Sequence, residues 1–364
     1  MPPLRSEGWV SIERYVDAIV AHAALGRLST TVSQAPRPKR AGAVARYRAR
    51  YRDYSDHVAE RGVTSDVSHI ADQALGHLVP ALTGPTVVTC HDLMPLAAEG
   101  HYSSRFDGWL DRTLLHLSLE GMTAATRIIA VSQATADEVV RLLQIPSERI
   151  SVVPNMVGSG FSPLACAEDW LSAREVSLPE RPRILSVGHS RPYKNLETLI
   201  RALAQPVLRE ASLVRCGARL TDSQRRLAAD LGIRHRIVEL GHRRPLELRA
   251  IYSACDVLAQ PSRAEGFGVP VVEAMACGLP VVCSDTGALA EVAGGAARIA
   301  PLTGAPEPDA ASVLAAALGD VLGDGAQAGE LRRAGLARAE VFAPENVVPR
   351  LRAAYERTIE EFEL

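Results

Sequence analysis

The chain has 364 residues, too long for one ordinary hydrophobic core, and this length predicts two α/β domains of about 150–200 residues each. Hydrophobic residues make up 47% and charged residues 23%, as in a water-soluble globular protein, and no apolar run reaches the roughly 18 residues that cross a bilayer. The formal net charge of −2 supplies no general field for nucleic acid, so no nucleic-acid partner is expected.

The positions of the cysteines and lysines limit which kinds of site the chain can contain. The six cysteines are scattered, with no C-x-x-C pair and no histidine at zinc spacing, so we expect reduced core residues and no metal site. Only Lys39 and Lys194 are lysines among 40 basic residues, which marks a retained lysine as a candidate functional residue. Residues 1–9 lack the apolar segment of a secretory signal, so the expected location is the cytoplasm.

The first half of the chain reads as an α/β domain. Periodicity predicts helices over Val10–Leu25, Arg105–Thr123 and Ala134–Leu143, and strands over Thr86–Cys90, Arg127–Val131 and Ile150–Val153. A doubly wound domain normally opens with a buried strand, whereas Met1–Trp9 reads as a loop. We therefore expect the first strand to be missing, because it never existed or because the true start lies upstream.

A basic segment follows the first predicted helix. Arg37–Arg52 holds seven basic residues and no acid, and apolar or aromatic residues recur at three- and four-residue steps from Val44 to Val58. This pattern predicts an amphipathic helix. Either its Val/Tyr stripe packs on the first domain with the arginines in water, or the helix meets an anionic membrane or a phosphorylated lipid-linked acceptor. Peripheral association with the inner membrane face is therefore kept as an alternative location.

Strands and helices alternate in the second half, which predicts a parallel sheet with helices on both faces. The predicted strands are Arg183–Gly188, Ser212–Gly217, Arg236–Gly241, Asp256–Gln260, Pro280–Ser284 and Ala297–Pro301. Prolines and glycines between Pro154 and Pro182 indicate the interdomain connection. The expected division is a first domain over 1–160, a linker over 161–182, a second domain over 183–343 and a helix over 344–364 that packs back on the first domain.

The densest motif, Ser262–Gly278, follows a predicted strand and leads into a helix. In an open α/β sheet such a loop offers backbone N–H groups and the positive helix end to a phosphate. The candidate backbone positions are Gly266, Phe267, Gly268 and Val269. Glu265 and Glu273, separated by seven residues, can accept hydrogen bonds from vicinal hydroxyls of a sugar or ribose. Alternatively, they are an exposed loop acid and an acid favoured by the helix dipole.

A second loop, Gly188–Asn195, also lies between a strand and a helix. Its cations Arg191 and Lys194 are candidate site residues, unless Lys194 and Asn195 merely cap and solubilise the helix. In the first half, His91 ends a strand, where a lone histidine is more often structural. Ser132 precedes a helix, where serine is a common N-cap.

Together these motifs resemble the retaining GT-B glycosyltransferases of family 4, whose E-x7-E signature matches Glu265 and Glu273. The resemblance implies an α/β fold of two Rossmann-like domains facing each other across a cleft, the first binding the acceptor and the second a nucleotide-sugar donor. It implies that no metal or other cofactor is required and that the donor is a UDP-, GDP- or ADP-sugar.

The resemblance also implies roles for single residues. Glu273 would hold the donor ribose, and Glu265 would contact the transferred sugar near the Phe267 and Gly268 backbone. Lys194, with Arg191 and the Gly188 turn, would meet the donor pyrophosphate, and His91 would act on the sugar. Further positions are Gly8 beside the donor phosphate, Ser132 at the first-domain turn and Leu240 beside the donor base.

The expected function is transfer of a mannose- or glucose-type hexosyl unit to a glycan, lipid-linked or small-molecule acceptor. A sugar-nucleotide epimerase shares the two-domain architecture but does not need the E-x7-E block in this form. A catalytically silent nucleotide-sugar-binding protein would account for the reduced glycine loop at the amino terminus. An oxidoreductase is disfavoured because no strand is followed by G-x-G-x-x-G.

Overall fold

The computed structural model describes residues 10–33, 43–61, 65–94, 109–158, 160–307 and 309–363. Gly8 and part of the basic segment, residues 37–42, lie outside the described residues. The chain divides into a first unit, Met1–Met156 with Pro344–Leu364, and a second unit, Val157–Ala343. Within the described ranges no helix is both long and apolar enough to cross a membrane.

A parallel sheet of four strands, in the order β1-β2-β3-β4, forms the centre of the first unit as described. The strands are β1 (Ser68–Ile70), β2 (Thr86–Cys90), β3 (Arg127–Ala130) and β4 (Ile150–Val152). The predictions for β2, β3 and β4 are confirmed. The sequence analysis missed β1, because three residues that include a histidine carry no periodic signal.

Helices cover both faces of this sheet. They are α1 (Val10–His22), α2 (Ala43–Arg48), α3 (Tyr54–Arg61), α4 (Trp109–Thr123), α5 (Gln133–Leu143) and the C-terminal helix Pro344–Glu363. On one face α1 and the C-terminal helix bury Tyr15 and Leu351 against β2 and β3. On the other face α4 packs against the 3-10 helix Gln73–Ala81 so closely that a Cβ on Gly121 would lie 2.3 Å from the Gly76 carbonyl oxygen.

The second unit contains a parallel six-stranded sheet in the order β10-β9-β8-β5-β6-β7. Its strands are β5 (Arg183–Gly188), β6 (Ser212–Gly217), β7 (Ile237–Gly241), β8 (Val257–Gln260), β9 (Val281–Ser284) and β10 (Arg298–Ala300). All correspond to predicted strands, because each is a short apolar run bounded by turn residues.

Helices of the second unit share an apolar core with that sheet. They are α6 (Ala167–Ser172), α7 (Leu196–Leu203), α8 (Asp222–Asp230), α9 (Pro245–Ala254), α10 (Val269–Ala276), α11 (Gly287–Ala293), α12 (Asp309–Gly323) and α13 (Gly325–Glu340). Helix α6 lies in the segment 161–182, and its Leu171 is buried. Cys166 is exposed, so the expectation that the cysteines are core residues is wrong there, although the other five are buried.

The basic segment packs on the first unit through its C-terminal part. Tyr54 and Val58 are buried, whereas Val44 is 83% exposed. The expectation that the arginines face water is wrong at Arg50, which is buried and donates from Nη2 to the Ala74 carbonyl at 2.7 Å. The chain continues from α2 into α3 through a π-helical turn, Ala49–Asp53, which places Arg50 on the inner side.

His77 lies beneath this segment. Its Nε2 is 3.0 Å from the Arg50 carbonyl oxygen, its Nδ1 is 3.2 Å from Ser118 Oγ, and the residue is 8% exposed. Burial lowers the pKa of His77 to about 4, although the hydrogen bond to the Arg50 carbonyl raises it. His77 is therefore neutral at neutral pH.

We predict that acid destabilises the first unit through His77. The folded pKa lies below the roughly 6.5 of an unfolded histidine, so the unfolded state binds the proton more readily. The stabilising contribution is complete above about pH 6.5 and is lost as the pH falls toward 4, with about 2 kcal/mol lost at pH 5. Urea unfolding at pH 5 and 7.5 measures this loss. A His77→Gln variant should show a smaller pH dependence, and an unchanged dependence would contradict the assignment.

Candidate active site

The carboxyl ends of β5 and β8 form the switch point of the second unit's sheet. From β5 the chain winds outward through β6 and β7, and it then returns to the other side of β5 to form β8, β9 and β10. In open α/β sheets, ligands bind beyond the strands at such a point. Residues 189–195, here called the β5 loop, and residues 261–268, the β8 loop, follow these two strands. Both loops that carry predicted site residues therefore meet at one place.

An ion pair joins the two loops. Lys194 Nζ lies 2.6 Å from Glu265 Oε1, and the side chains are only 13% and 8% exposed. Glu265 Oε1 also accepts hydrogen bonds from Gln260 Nε2 at 2.7 Å and Ser262 Oγ at 2.8 Å. Three donors thus converge on one carboxylate oxygen, which offsets the cost of removing the charges from water. The motifs predict separate roles for Lys194 and Glu265, and they do not predict this contact.

Hydrogen bonds to the backbone and to Asn195 lock the same loops together. The Arg263 amide donates to the Tyr193 carbonyl at 2.7 Å, and Arg263 Nε donates to Asn195 Oδ1 at 3.2 Å. Asn195 adopts a left-handed conformation with φ 55° and does not cap α7 with its side chain. Its buried side chain instead connects the loops, so the interpretation of Asn195 as a solubilising helix cap is wrong.

The second carboxylate of the signature lies deeper. Glu273 sits one turn into α10, is 2% exposed, and accepts a hydrogen bond at 2.9 Å from the hydroxyl of Tyr252 on α9. Tyr252 is fully buried, and burial and the Glu273 charge raise its pKa well above the usual value, so it remains a donor. Tyr252 was missed by the sequence analysis, because an aromatic residue on an amphipathic helix reads as ordinary core.

Glycines permit the close backbone packing of the site. Gly188 has φ +126°, and a Cβ on Gly217 would lie 2.3 Å from the Gly188 carbonyl oxygen. Gly268 has φ +96° and is the N-cap residue of α10, so the N-cap position has no side chain that could cap the helix. The neighbouring Phe267 packs its ring edge-on against Phe342, with centroids 5.4 Å apart. The Gly266–Val269 candidates therefore lie at the start of α10 with the Phe267 ring in the core.

The carboxyl ends of β5, β6 and β7 are electropositive. Burial lowers the pKa of His189 to about 4, and the charges of Arg191, Lys194, His242 and Arg215 lower it further. Arg191 is exposed on the β5 loop, and Leu240 is half-buried near the end of β7. This edge of the sheet suits an anion. Across the described residues, no group of three or more His, Cys, Asp or Glu side chains is placed to hold a metal ion.

His91 and Ser132 lie in the first unit. His91 Nε2 is 2.9 Å from the Ala71 carbonyl oxygen, which can only accept, so Nε2 carries the proton and Nδ1 is the basic nitrogen. Burial lowers the pKa of His91 to about 4, although the bond to Ala71 raises it, so the ring is neutral at neutral pH. Ser132 is buried, caps α5 and accepts from the Thr135 amide at 3.0 Å, as its N-cap alternative predicts.

Family models match both halves of the chain. One described as "Glycosyltransferase Family 4" matches residues 19–158, and one described as "Glycosyl transferases group 1" matches residues 170–335. O-antigen chain mannosyltransferase B of Escherichia coli is 28% identical over 274 residues, which cover 74% of this chain and 69% of that protein. The serotype-specific mannosyltransferase WbdA of Escherichia coli is 30% identical over 254 residues. They cover 65% of this chain and 31% of WbdA, so the match spans about a third of WbdA.

Solved structures resemble most of the chain. Sucrose-phosphate synthase from Thermosynechococcus elongatus matches with a TM-score of 0.71 at 23% identity, covering 89% of this chain and 82% of that one. The Anabaena protein HepE in complex with UDP and glucose matches with a TM-score of 0.67 at 20% identity, covering 83% and 80%. At these identities the likeness shows the fold, which is the predicted GT-B fold of two α/β domains.

We predict strong energetic coupling between Lys194 and Glu265. Lys194→Met or Glu265→Gln alone leaves one buried partner without its ion pair, which costs about 3–5 kcal/mol, whereas the double variant removes both charges. A double-mutant cycle in urea should therefore give a coupling energy of about 1–3 kcal/mol. The exposed pair Arg209 and Glu210, 3.1 Å apart, is the control and should show no measurable coupling. Equal coupling in both pairs would contradict the prediction.

Proposed function

We propose that this chain, which belongs to the family 4 glycosyltransferases, transfers a hexosyl unit from a nucleotide sugar to an acceptor hydroxyl with retention of anomeric configuration. The observation that carries the proposal is the meeting of Lys194 and Glu265 at the switch point, beside the N-terminus of α10. An ammonium group and a helix N-terminus suit a diphosphate, and a carboxylate suits sugar hydroxyls. Membership of this family argues against the epimerase and silent-protein alternatives.

Each chemical group of the nucleotide-sugar donor has a candidate partner in the second unit. Lys194 Nζ has three protons, so it can donate to a phosphate oxygen while it keeps its bond to Glu265. Exposed Arg191 supplies a second cation, and Gly188 allows the backbone to turn beneath the phosphates. Glu265 Oε2 is the candidate partner of a sugar hydroxyl, and Glu273 is the candidate partner of the ribose. The Anabaena protein HepE, which shares this fold, binds UDP and glucose, which supports a nucleoside diphosphate here.

The proposed reaction breaks the bond between the anomeric carbon and the diphosphate oxygen. The electron pair of that bond leaves with the nucleoside diphosphate, whose added charge Lys194 and Arg191 stabilise. The acceptor hydroxyl oxygen bonds to the anomeric carbon on the same face, and its proton passes to the departing phosphate. We retain His91 as a candidate that contacts the sugar, because a neutral imidazole adds no positive charge beside a developing oxocarbenium ion.

The positive charge on the protein removes the need for a metal ion in this proposal. Lys194, Arg191 and the helix end together can balance the leaving diphosphate. The mannosyltransferase relatives favour a mannose-type sugar and a glycan or lipid-linked acceptor, and the HepE complex favours a glucose-type sugar. The base would lie near Leu240 at the end of β7.

We predict that a panel of UDP-, GDP- and ADP-sugars will contain one donor that the protein hydrolyses slowly, releasing the sugar with retained configuration and without dependence on divalent metal. Lys194→Ala should reduce turnover at least about 100-fold, because it removes charge from the leaving group. Glu273→Ala should mainly weaken donor binding. Calorimetry measures affinity, and NMR of the released sugar in EDTA measures rate and configuration.

Matched controls come from the exposed pair Arg209 and Glu210, whose side chains are 80% and 78% exposed. Arg209→Ala and Glu210→Ala should keep wild-type turnover and donor affinity. Wild-type behaviour of both Lys194→Ala and Glu273→Ala would end the site assignment. Release of an epimerised nucleotide sugar would favour the epimerase, and binding without turnover would favour the silent protein.

We also propose that the basic segment contributes to binding of an anionic lipid surface. Arg48 and Arg52 are 66% and 73% exposed, whereas Arg50 is used internally. We predict that an Arg48→Glu/Arg52→Glu variant binds anionic liposomes more weakly than the wild type in co-sedimentation, because it reverses two surface charges. Neutral liposomes are the control, and equal sedimentation of both proteins with anionic liposomes would contradict the proposal.

A further inference from the structure

A buried arginine lies inside the central part of the second unit's sheet. Arg215 is in β6, opposite Ser186 of β5 and Glu239 of β7, and is 1% exposed. The rest of that strand is apolar or small, and a buried charge is costly unless it is paired. The free-energy cost of burying Arg215 must therefore be offset by an interaction that the arginine makes.

The contacts of Arg215 are unusual for a buried cation. Its Nη2 donates to the Gly188 carbonyl at 2.5 Å and its Nη1 to the Cys216 carbonyl at 3.0 Å. Its Nε is buried without a hydrogen-bond partner, and no ion pair joins it to a carboxylate within the described residues. The neighbouring Glu239 is bound by Arg234 Nη2 at 2.9 Å and the Leu220 amide at 2.8 Å. Two neutral carbonyls thus hold the guanidinium, and the charge of Glu239 acts on it without an ion pair or a hydrogen bond.

Arg215 also holds the starting point of the β5 loop. The Gly188 carbonyl accepts both from Arg215 and from the Ala218 amide at 3.0 Å, at the residue whose positive φ turns the chain into the loop. The loop then carries Arg191 and Lys194. Burial lowers the pKa of Arg215 to about 10, so the side chain remains charged at neutral pH and adds to the positive edge of the sheet.

We infer that Arg215 is a positioning residue for the donor diphosphate: its guanidinium fixes the Gly188 turn, and its charge adds to the positive field that a diphosphate would meet beyond β5. The inference rests on the proposed function. Arg215 does not touch the ligand, because it is buried, and it acts through the Gly188 carbonyl and through its field. Its effect should therefore be confined to the phosphates, leaving recognition of the nucleoside unchanged.

The test compares ligands that differ only in the diphosphate. Calorimetry first identifies which of UDP, GDP and ADP the wild type binds, and the affinities of Arg215→Met and Arg215→Lys are then measured for that diphosphate, for its nucleoside and for inorganic pyrophosphate. We expect Arg215→Met to weaken binding of the diphosphate and of pyrophosphate about tenfold or more. The affinity for the nucleoside should change less than about twofold. Arg215→Lys keeps the charge but cannot donate to the Gly188 and Cys216 carbonyls in the same way. It should therefore lose less diphosphate affinity than Arg215→Met.

Stability supplies a readout that separates positioning from a structural role. Removing a buried cation that makes no ion pair among the described residues should leave the melting temperature of the ligand-free protein unchanged or higher in Arg215→Met. The matched control is Arg183→Lys. Arg183 is also buried, but at the amino end of β5 and paired with Glu168 at 2.9 Å, so this change should leave diphosphate affinity unchanged.

The outcomes distinguish the two proposals. Equal loss of diphosphate and nucleoside affinity, or no loss of either, overturns the role of Arg215 while the wild-type affinity still supports the proposed function. Failure of the wild type to bind any of the three diphosphates overturns the proposed function and this inference with it. If Arg215→Met does not fold, the inference is tested by Arg215→Lys alone. The measurement is then the ratio of its affinity for the diphosphate to its affinity for the nucleoside.

Discussion

The site depends on one ion pair that is largely shielded from solvent. It joins two loops through residues that are 71 positions apart in sequence. Lys194 and Glu265 meet because β5 and β8 are neighbours in the sheet although β6 and β7 lie between them in the chain. Such a pair is stable only when its remaining hydrogen-bonding capacity is satisfied. Gln260 and Ser262 meet that need, which explains why polar residues end an otherwise apolar strand.

Backbone and side-chain hydrogen bonds hold the two loops of this pair. The loops are bonded through Arg263, Tyr193 and Asn195, and β5 and β6 approach closely at Gly217, where a Cβ would collide with the Gly188 carbonyl oxygen. Both loops start from the ends of buried strands, so their geometry is set by the sheet. A diphosphate meeting such a site would find its cations already placed, and preorganised charge of this kind is the largest single source of catalysis in many enzymes.

In the first unit, hydrogen bonds among neutral polar side chains join helices to the sheet. Thr89 Oγ1 lies 3.0 Å from Tyr15 OH and 2.7 Å from His69 Nε2, while His69 Nδ1 lies 2.7 Å from Tyr355 OH of the C-terminal helix. Burial lowers the pKa of His69 to about 3. These hydrogen bonds tie α1 and the C-terminal helix, from opposite ends of the chain, to the same sheet beside His91.

The sequence by itself determined the elements and the motifs, because both are local: short apolar runs predicted nine of the ten described strands, and loops between strand and helix marked the Lys194 and Glu265 regions. Only the tertiary structure decided which of these residues touch. It paired Lys194 with Glu265, placed Tyr252 on Glu273, and buried Arg50 and Arg215, each through contacts between segments distant in sequence. Strand order and burial set such contacts, and neither leaves a periodic signal that can be read along the chain.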